Sequence, residues 1–182
     1  MQCYWAKVSG DGNVTWADAE LTANGEQQAH RIAEVHSYLG EDTITTILSS
    51  PLRRCLRTVQ LAFPPGADDE RPIIKEKLRE PFGVRTCDQR SSRSWMVEDY
   101  PSFDVESGST EEGLLWSPDR QETIEEHTVR CTELLDDIFE GDYGEYIVLA
   151  AHSGAVMSLF AATGLEEDTR RGQSNVSSVG LR

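Results

Sequence analysis

Twice in this chain a short apolar run passes through small residues straight into a helix-like pattern. "TITTILSSPLRRCLRTV" does so at residues 43–59, and "IVLAAHSGAVM" at 147–157. Strands this uniformly apolar are buried on both faces, so helices must cover both sides of their sheet. Strand-then-helix repeated along a chain implies a mostly parallel sheet and a three-layer α/β/α architecture. It also places the residue after each strand at one end of the sheet, where helix N-termini favour anions.

The remaining segments fit that plan. Residues 2–8 read as a first strand that closes at "SGDGN". In "LTANGEQQAHRIAEVHSYLG", Ala29, Ile32, Ala33, His36 and Leu39 recur at helical spacing, and Gly40 is a natural stop. Ser50 and Pro51 have the chemistry of an N-cap and first helical residue. The helix that they predict carries Leu52, Cys55, Leu56, Val59 and Phe63 on one face. "IIKEKL" reads as a further strand, and Asp119–Glu140 as a helix with Ile124, Thr128, Cys131, Leu135 and Ile138 in register. "NVSSVGLR" suits a closing strand. Arg79–Pro118 has little periodicity and reads as a mostly irregular insertion or lid. Neither a repeat nor a linker interrupts the chain. The expectation is one domain spanning residues 1–182, with a lid at about 79–118.

The net charge of −15 argues against a nucleic-acid partner, because phosphate backbones require a basic face. It also singles out "PLRRCLR" as a place where an acidic chain gathers cations. No apolar run has the roughly 20 residues of a membrane span, and "MQCYWAKVSG" lacks a signal-peptide core. Cys3, Cys55, Cys87 and Cys131 are far apart without metal-ligand spacing, which predicts reduced thiols and no metal. A cytoplasmic protein is expected.

"AHSGA" at a strand-to-helix turn has the outline of an esterase elbow with Ser153 as nucleophile. Chain order opposes it, since no histidine follows His152 to act as base. His152 itself stands at the carboxyl end of a buried strand beside a helix N-terminus, where an anion pocket belongs. The duller alternative is a histidine satisfied by a backbone carbonyl.

Five segments in order resemble the histidine phosphatase superfamily, the phosphoglycerate-mutase-like fold. "DAELTANGEQQA" resembles D-x-x-L-T-x-x-G-x-x-Q-A, and "SSPLRRCLRTV" resembles S-S-P-L-x-R-A-x-x-T. "LREPFGVRTCDQRSSRSWM" with "WSPDRQETIEE" resembles the plant and fungal branch of that family, "AHSGAV" the second histidine motif, and "SNVSSVGL" the closing strand. The resemblance implies that Arg54 binds the anion, that Glu80 is the general acid, and that His152 is the second pocket histidine. Ser153 would join the binding residues. It implies a phosphohistidine mechanism without cofactor or metal, acting on a small anionic or phosphorylated metabolite.

The first strand departs from this pattern. Where the family carries Arg-His-Gly, this chain has Ala6-Lys7 or Lys7-Val8, depending on whether Asn13 or Met1 sets the register. No histidine precedes His30. Lys7 keeps a positive charge there, and Asn13 is a candidate for orienting the first loop. Three functions remain open. The pocket performs acid–base chemistry on a small anionic metabolite, with Glu80 and His152 as the pair and Arg54 or Lys7 stabilising an oxyanion. It captures a phosphorylated ligand without turnover. Or it is a phosphatase with an altered nucleophile. Arg53 and Arg57 read as surface residues or partners of acidic neighbours, and Cys87 and Asp88 as shaping the lid by packing or a turn. Arg90 and Arg93 could face an anionic tail or solvent, and Trp95 reads as lid packing. His30, His36 and His127 read as helix-face residues without a role. The substrate and the oligomeric state are not readable.

Overall fold

The two strand-to-helix junctions lie side by side, on adjacent strands toward one end of the described sheet. A computed structural model describes residues 16–39, 44–64, 71–83, 85–141, 143–144 and 146–164. In chain order the elements are α1 (Ala23–Leu39), β1 (Thr46–Ser49), α2 (Arg53–Ala62), β2 (Ile73–Ile74), α3 (Arg93–Asp99), β3 (Asp104–Val105), α4 (Ile124–Glu140), β4 (Ile147–Ala150) and α5 (Ser153–Thr163). The described strands form one parallel sheet in the order β3-β2-β1-β4. The expected first strand at 2–8, the closing strand, Lys7 and Asn13 lie outside the described residues.

Alternation along these strands builds two apolar layers. Ile47, Ile74, Val105 and Ala150 face a cluster with Leu56 and Val59 of α2, Met96 of α3, and Tyr100 and Phe103 beyond it. Leu48, Ile73, Ile147 and Leu149 face the other way, against Leu78, Leu134 and Ile138. Register keeps each set together, since Leu48 is opposite Leu149 on one side and Ile73 on the other. Helices therefore cover both faces, as two-sided apolar strands require.

Three local expectations are corrected. Ser50 and Pro51 do not begin α2. Its N-cap is Leu52, whose side chain can make no cap bond, and the Arg53 amide is instead capped from a distance by Asp18 Oδ1 at 2.9 Å. The strand in "IIKEKL" is only Ile73–Ile74, because the chain turns into a 3₁₀ turn at Glu76–Leu78. The 79–118 section is mostly irregular, as expected, but it holds one short helix, α3, and the two-residue strand β3. Ser92 accepts the Trp95 amide to start α3, and Met96, Tyr100 and Phe103 supply core, with β3 at the sheet's edge. In α4 the buried face is His127, Arg130, Cys131, Leu134, Leu135 and Ile138, whereas Ile124 is exposed. A capping box between Thr123 and Glu126 fixes its start.

Arg130 shows why α4 turns that face inward. Its guanidinium meets Glu122 through two bonds, Nε to Oε1 at 2.9 Å and Nη2 to Oε2 at 2.6 Å. The same group donates to the carbonyls of Lys77 at 2.8 Å, Arg79 at 3.1 Å and Glu80 at 3.2 Å. Glu122 Oε2 also accepts the Phe82 amide at 3.1 Å, so the strip from 77 to 82 is clamped along its length. Removing one partner of such a buried pair strands the other charge. Arg130→Ala is expected to lower the unfolding free energy by roughly 3–5 kcal/mol. A urea melt reads this, and a loss under 1 kcal/mol would contradict the clamp.

Candidate active site

Three loops carry the site residues to the carboxyl ends of three neighbouring strands. Arg54 follows β1, Glu80 follows β2 and the 3₁₀ turn, and His152 follows β4. In the described sheet the chain runs outward from β1 through β2 to β3, then returns to β1's other side as β4. Ligands of open parallel sheets bind at such reversals, outside the strand ends.

The Glu80 carboxylate sits on the amino terminus of α5. Its Oε1 accepts the Gly154 amide at 3.2 Å and its Oε2 the Ala155 amide at 2.9 Å. These are among the amides that a helix leaves unpaired in its first turn. Gly154 makes the approach possible, since any Cβ there would collide with Glu80 Oε2 and Pro81. Burial raises the Glu80 pKa above the ordinary carboxylate range, the two amides and Arg54 oppose the rise, and Asp88 adds to it. A carboxyl in that condition is suited to carrying a proton.

Arg54 is aimed by the insertion. Its guanidinium donates to the Cys87 carbonyl at 2.7 Å and to Asp88 Oδ1 at 3.0 Å, both within the 3₁₀ turn Thr86–Asp88. Those contacts use two of its five N–H donors. Arg54 lies close enough to Glu80 and His152 to act on the charge of each.

His152 is the N-cap residue of α5, although its ring makes no cap bond. The ring turns toward α2, with Nδ1 3.3 Å from the Cys55 sulfur. Burial pushes its pKa down to about 4, Arg54 adds to the drop, and the Ala151 carbonyl pulls the other way. The imidazole is therefore neutral near pH 7. Ser153 is exposed as the first residue of α5, outside these side-chain contacts.

Several other candidates take structural posts. Arg90 reaches neither an anionic tail nor solvent. It is buried, pairs with Glu76, and donates to the carbonyls of Ser91, Thr110, Glu111 and Glu112, thereby tying the insertion together. His127 is not a bystander on a helix face. It is 0% exposed and bridges Ser158 Oγ at 2.7 Å and the Arg79 carbonyl at 2.9 Å. Arg53 and Arg57 pair with Glu20 and Glu26, and Arg53 also stacks over Trp95. Trp95 meets Tyr100 edge-on, as lid packing required. His30 and Arg93 are exposed.

Residue-by-residue reading missed two contributors. Asp18 is buried at a positive φ of 45° and accepts the Arg53 amide, the Ser91 amide and the Ser91 hydroxyl. It thereby joins the start of α2 to the insertion. Cys55 appeared only as an apolar helix position, but its sulfur is the contact of His152.

Comparison with known proteins agrees with this geometry. The family model described as the histidine phosphatase superfamily (branch 1) matches residues 8–181. The chain belongs to that superfamily. It is 38% identical over 171 residues to a probable phosphoglycerate mutase of Arthroderma benhamiae, covering 90% of this chain and 51% of the relative. It is 36% identical to the phosphomutase-like protein 3 of Candida albicans, covering 89% and 52%. The chain thus spans about half the length of these curated relatives. Among solved structures, a mycobacterial glucosyl-3-phosphoglycerate phosphatase complexed with VO3 is 26% identical, with a TM-score of 0.50 and coverage of 80% of this chain and 69% of that one. The ecdysone phosphate phosphatase of Bombix mori, in complex with tungstate, shares the fold at a TM-score of 0.55 and 18% identity, covering 90% and 63%. No described helix is long and apolar enough to cross a membrane.

The low pKa of His152 has a measurable consequence. Between the ordinary histidine value of 6.5 and about 4, the unfolded chain binds a proton at residue 152 that the folded chain does not. Stability from this group is complete above pH 6.5 and declines as pH falls toward 4, by on the order of 3 kcal/mol at most. Glu80 and Asp18, with raised values, act in the opposite sense in wild type and variant alike. His152→Gln is expected to lose less stability than wild type between pH 7 and pH 4.5. Parallel denaturant titrations at the two pH values check this.

Proposed function

We propose that the chain binds a phosphorylated small metabolite at the carboxyl ends of β1 and β4. Arg54 and His152 hold the phosphoryl oxygens, and Glu80 supplies a proton to the ester oxygen. The observation that carries this reading is the seating of Glu80 on the α5 amides, within reach of the Arg54 charge. A cation, a neutral N–H donor and a carboxyl able to hold a proton converge there, the complement of a phosphate monoester. The similarity to a probable phosphoglycerate mutase and to a glucosyl-3-phosphoglycerate phosphatase that binds VO3 supports the same ligand class.

Phosphohistidine transfer is not part of the proposal. The resemblance puts that histidine at the first strand, where this chain has Ala6-Lys7 or Lys7-Val8. Of the other histidines, His30 is exposed on α1, His36 lies in α1, and His127 is locked beneath α4. The proposal assigns Lys7 the role of a second cation for the ligand and Asn13 that of orienting the first loop, both from the sequence and outside the described residues, and has Ser153 border the ligand. Acid–base chemistry between Glu80 and the bound anion is the activity expected, with hydrolysis slow. Cys55 and Cys131 are free buried thiols, in keeping with the cytoplasmic setting that belongs to this reading.

Calorimetric titration with orthovanadate and inorganic phosphate tests this. Arg54→Met and His152→Ala are each expected to weaken binding about tenfold or more. Glu80→Ala should abolish any residual aryl-phosphate hydrolysis. Anion affinity unchanged in both Arg54→Met and His152→Ala would refute the pocket. Efficient turnover with an acid-labile phosphoenzyme would replace it with a phosphatase of altered nucleophile.

A further inference from the structure

One contact behind the proposed pocket is not required by the ligand chemistry itself. Cys55 Sγ on α2 lies 3.3 Å from His152 Nδ1 at the start of α5. We propose that Cys55 is a positioning residue whose thiol donates to His152 Nδ1, fixing the neutral ring with its proton on Nε2. The inference deepens the reading above, because an Nε2–H is the donor that an anion at this sheet end needs.

The geometry favours this direction of donation. A thiol and a neutral imidazole nitrogen share one proton across the contact, and the nitrogen is much the better acceptor. Ser50, in the turn between β1 and α2, lowers the thiol pKa against the larger effect of burial. Ser50 and Cys55 are both buried, and Cys55 is one residue from Arg54. The charged groups facing the thiol are Arg54 on its own helix, Glu80 from the strip after β2, and Asp18 from the segment before α1. Those facing the ring are Arg54, with the Ala151 carbonyl alongside. Burial pushes the Cys55 thiol up to about 12 against the pull of Arg54, which keeps its proton available for donation. The same burial removes it from the class of reactive thiolates.

The competing arrangement puts the proton on Nδ1, donated to the sulfur or to the Ala151 carbonyl, and leaves Nε2 bare. Long-range ¹⁵N–¹H correlation spectra of the full chain distinguish the two, with His152 assigned by its loss in His152→Gln. Wild type is expected to show the Nε2–H tautomer near pH 7. Cys55→Ala should mix the tautomers and weaken orthovanadate binding roughly three- to tenfold. Cys55→Ser, which retains a donor, should restore the tautomer and most of the affinity. An Nδ1–H tautomer in wild type overturns the proposal even if no variant folds, as does an unchanged tautomer in Cys55→Ala. If the spectra behave as expected while orthovanadate fails to bind, the positioning holds and the ligand reading falls.

Discussion

The bidentate pair between Arg130 and Glu122 is the constraint on which the rest is built. Burying either charge alone is unfavourable, and in the interior each is tolerated only because the other and several backbone groups satisfy it. Arg130 gathers three carbonyls of the strip after β2, and Glu122 takes an amide from the same strip. His127, one turn earlier on α4, takes the Arg79 carbonyl as well. The strip cannot slide without unpairing several buried polar groups at once. Glu80 therefore leaves the clamp at a fixed point, which is where α5 begins.

That fixed point gives the carboxylate its chemistry. A carboxyl bonded to two amides at a helix start would ordinarily be a strong acid, since both amides and the helix dipole favour its charged form. Burial outweighs them at Glu80 and raises its pKa. The same burial moves His152 in the opposite direction, to about 4, because desolvation opposes whichever form is charged. One environment thus leaves the acid readier to hold a proton and the base readier to be neutral. Gly154 is necessary to the seating of Glu80, because a side chain there would push the carboxylate off the helix.

Much of this was legible in the residues, and what was not has identifiable causes. The parallel sheet followed from apolar runs feeding helices, and motif resemblance named Arg54, Glu80 and His152, which the fold brings to the ends of neighbouring strands. The core residues of segment 79–118, Met96, Tyr100 and Phe103, went unseen because they straddle the end of the short α3 and so show no helical period. The start of α2 was misread because its cap comes from Asp18, which no local pattern reveals. His127 and Arg90 looked like surface polar residues because burial of a polar group depends on partners distant in sequence. Cys55 passed for an apolar helix position because its size and hydrophobicity are those of one.

The insertion's part in the site follows from the same accounting of partners. A guanidinium on the first turn of a helix has a long side chain with many rotamers, and ordering it for a ligand costs entropy. Here the Cys87 carbonyl and Asp88 carboxylate hold Arg54 before any anion arrives. Arg79 anchors that turn by donating to the Asp88 carbonyl, and Asp18 joins the insertion to the start of α2 through Ser91. In a chain of net charge −15, a cation left loose would be drawn to any nearby carboxylate. Committing it to one acidic partner in a defined direction, with donors to spare, keeps it pointed at the sheet end. The segment between 79 and 118 thus fixes the direction of the Arg54 guanidinium.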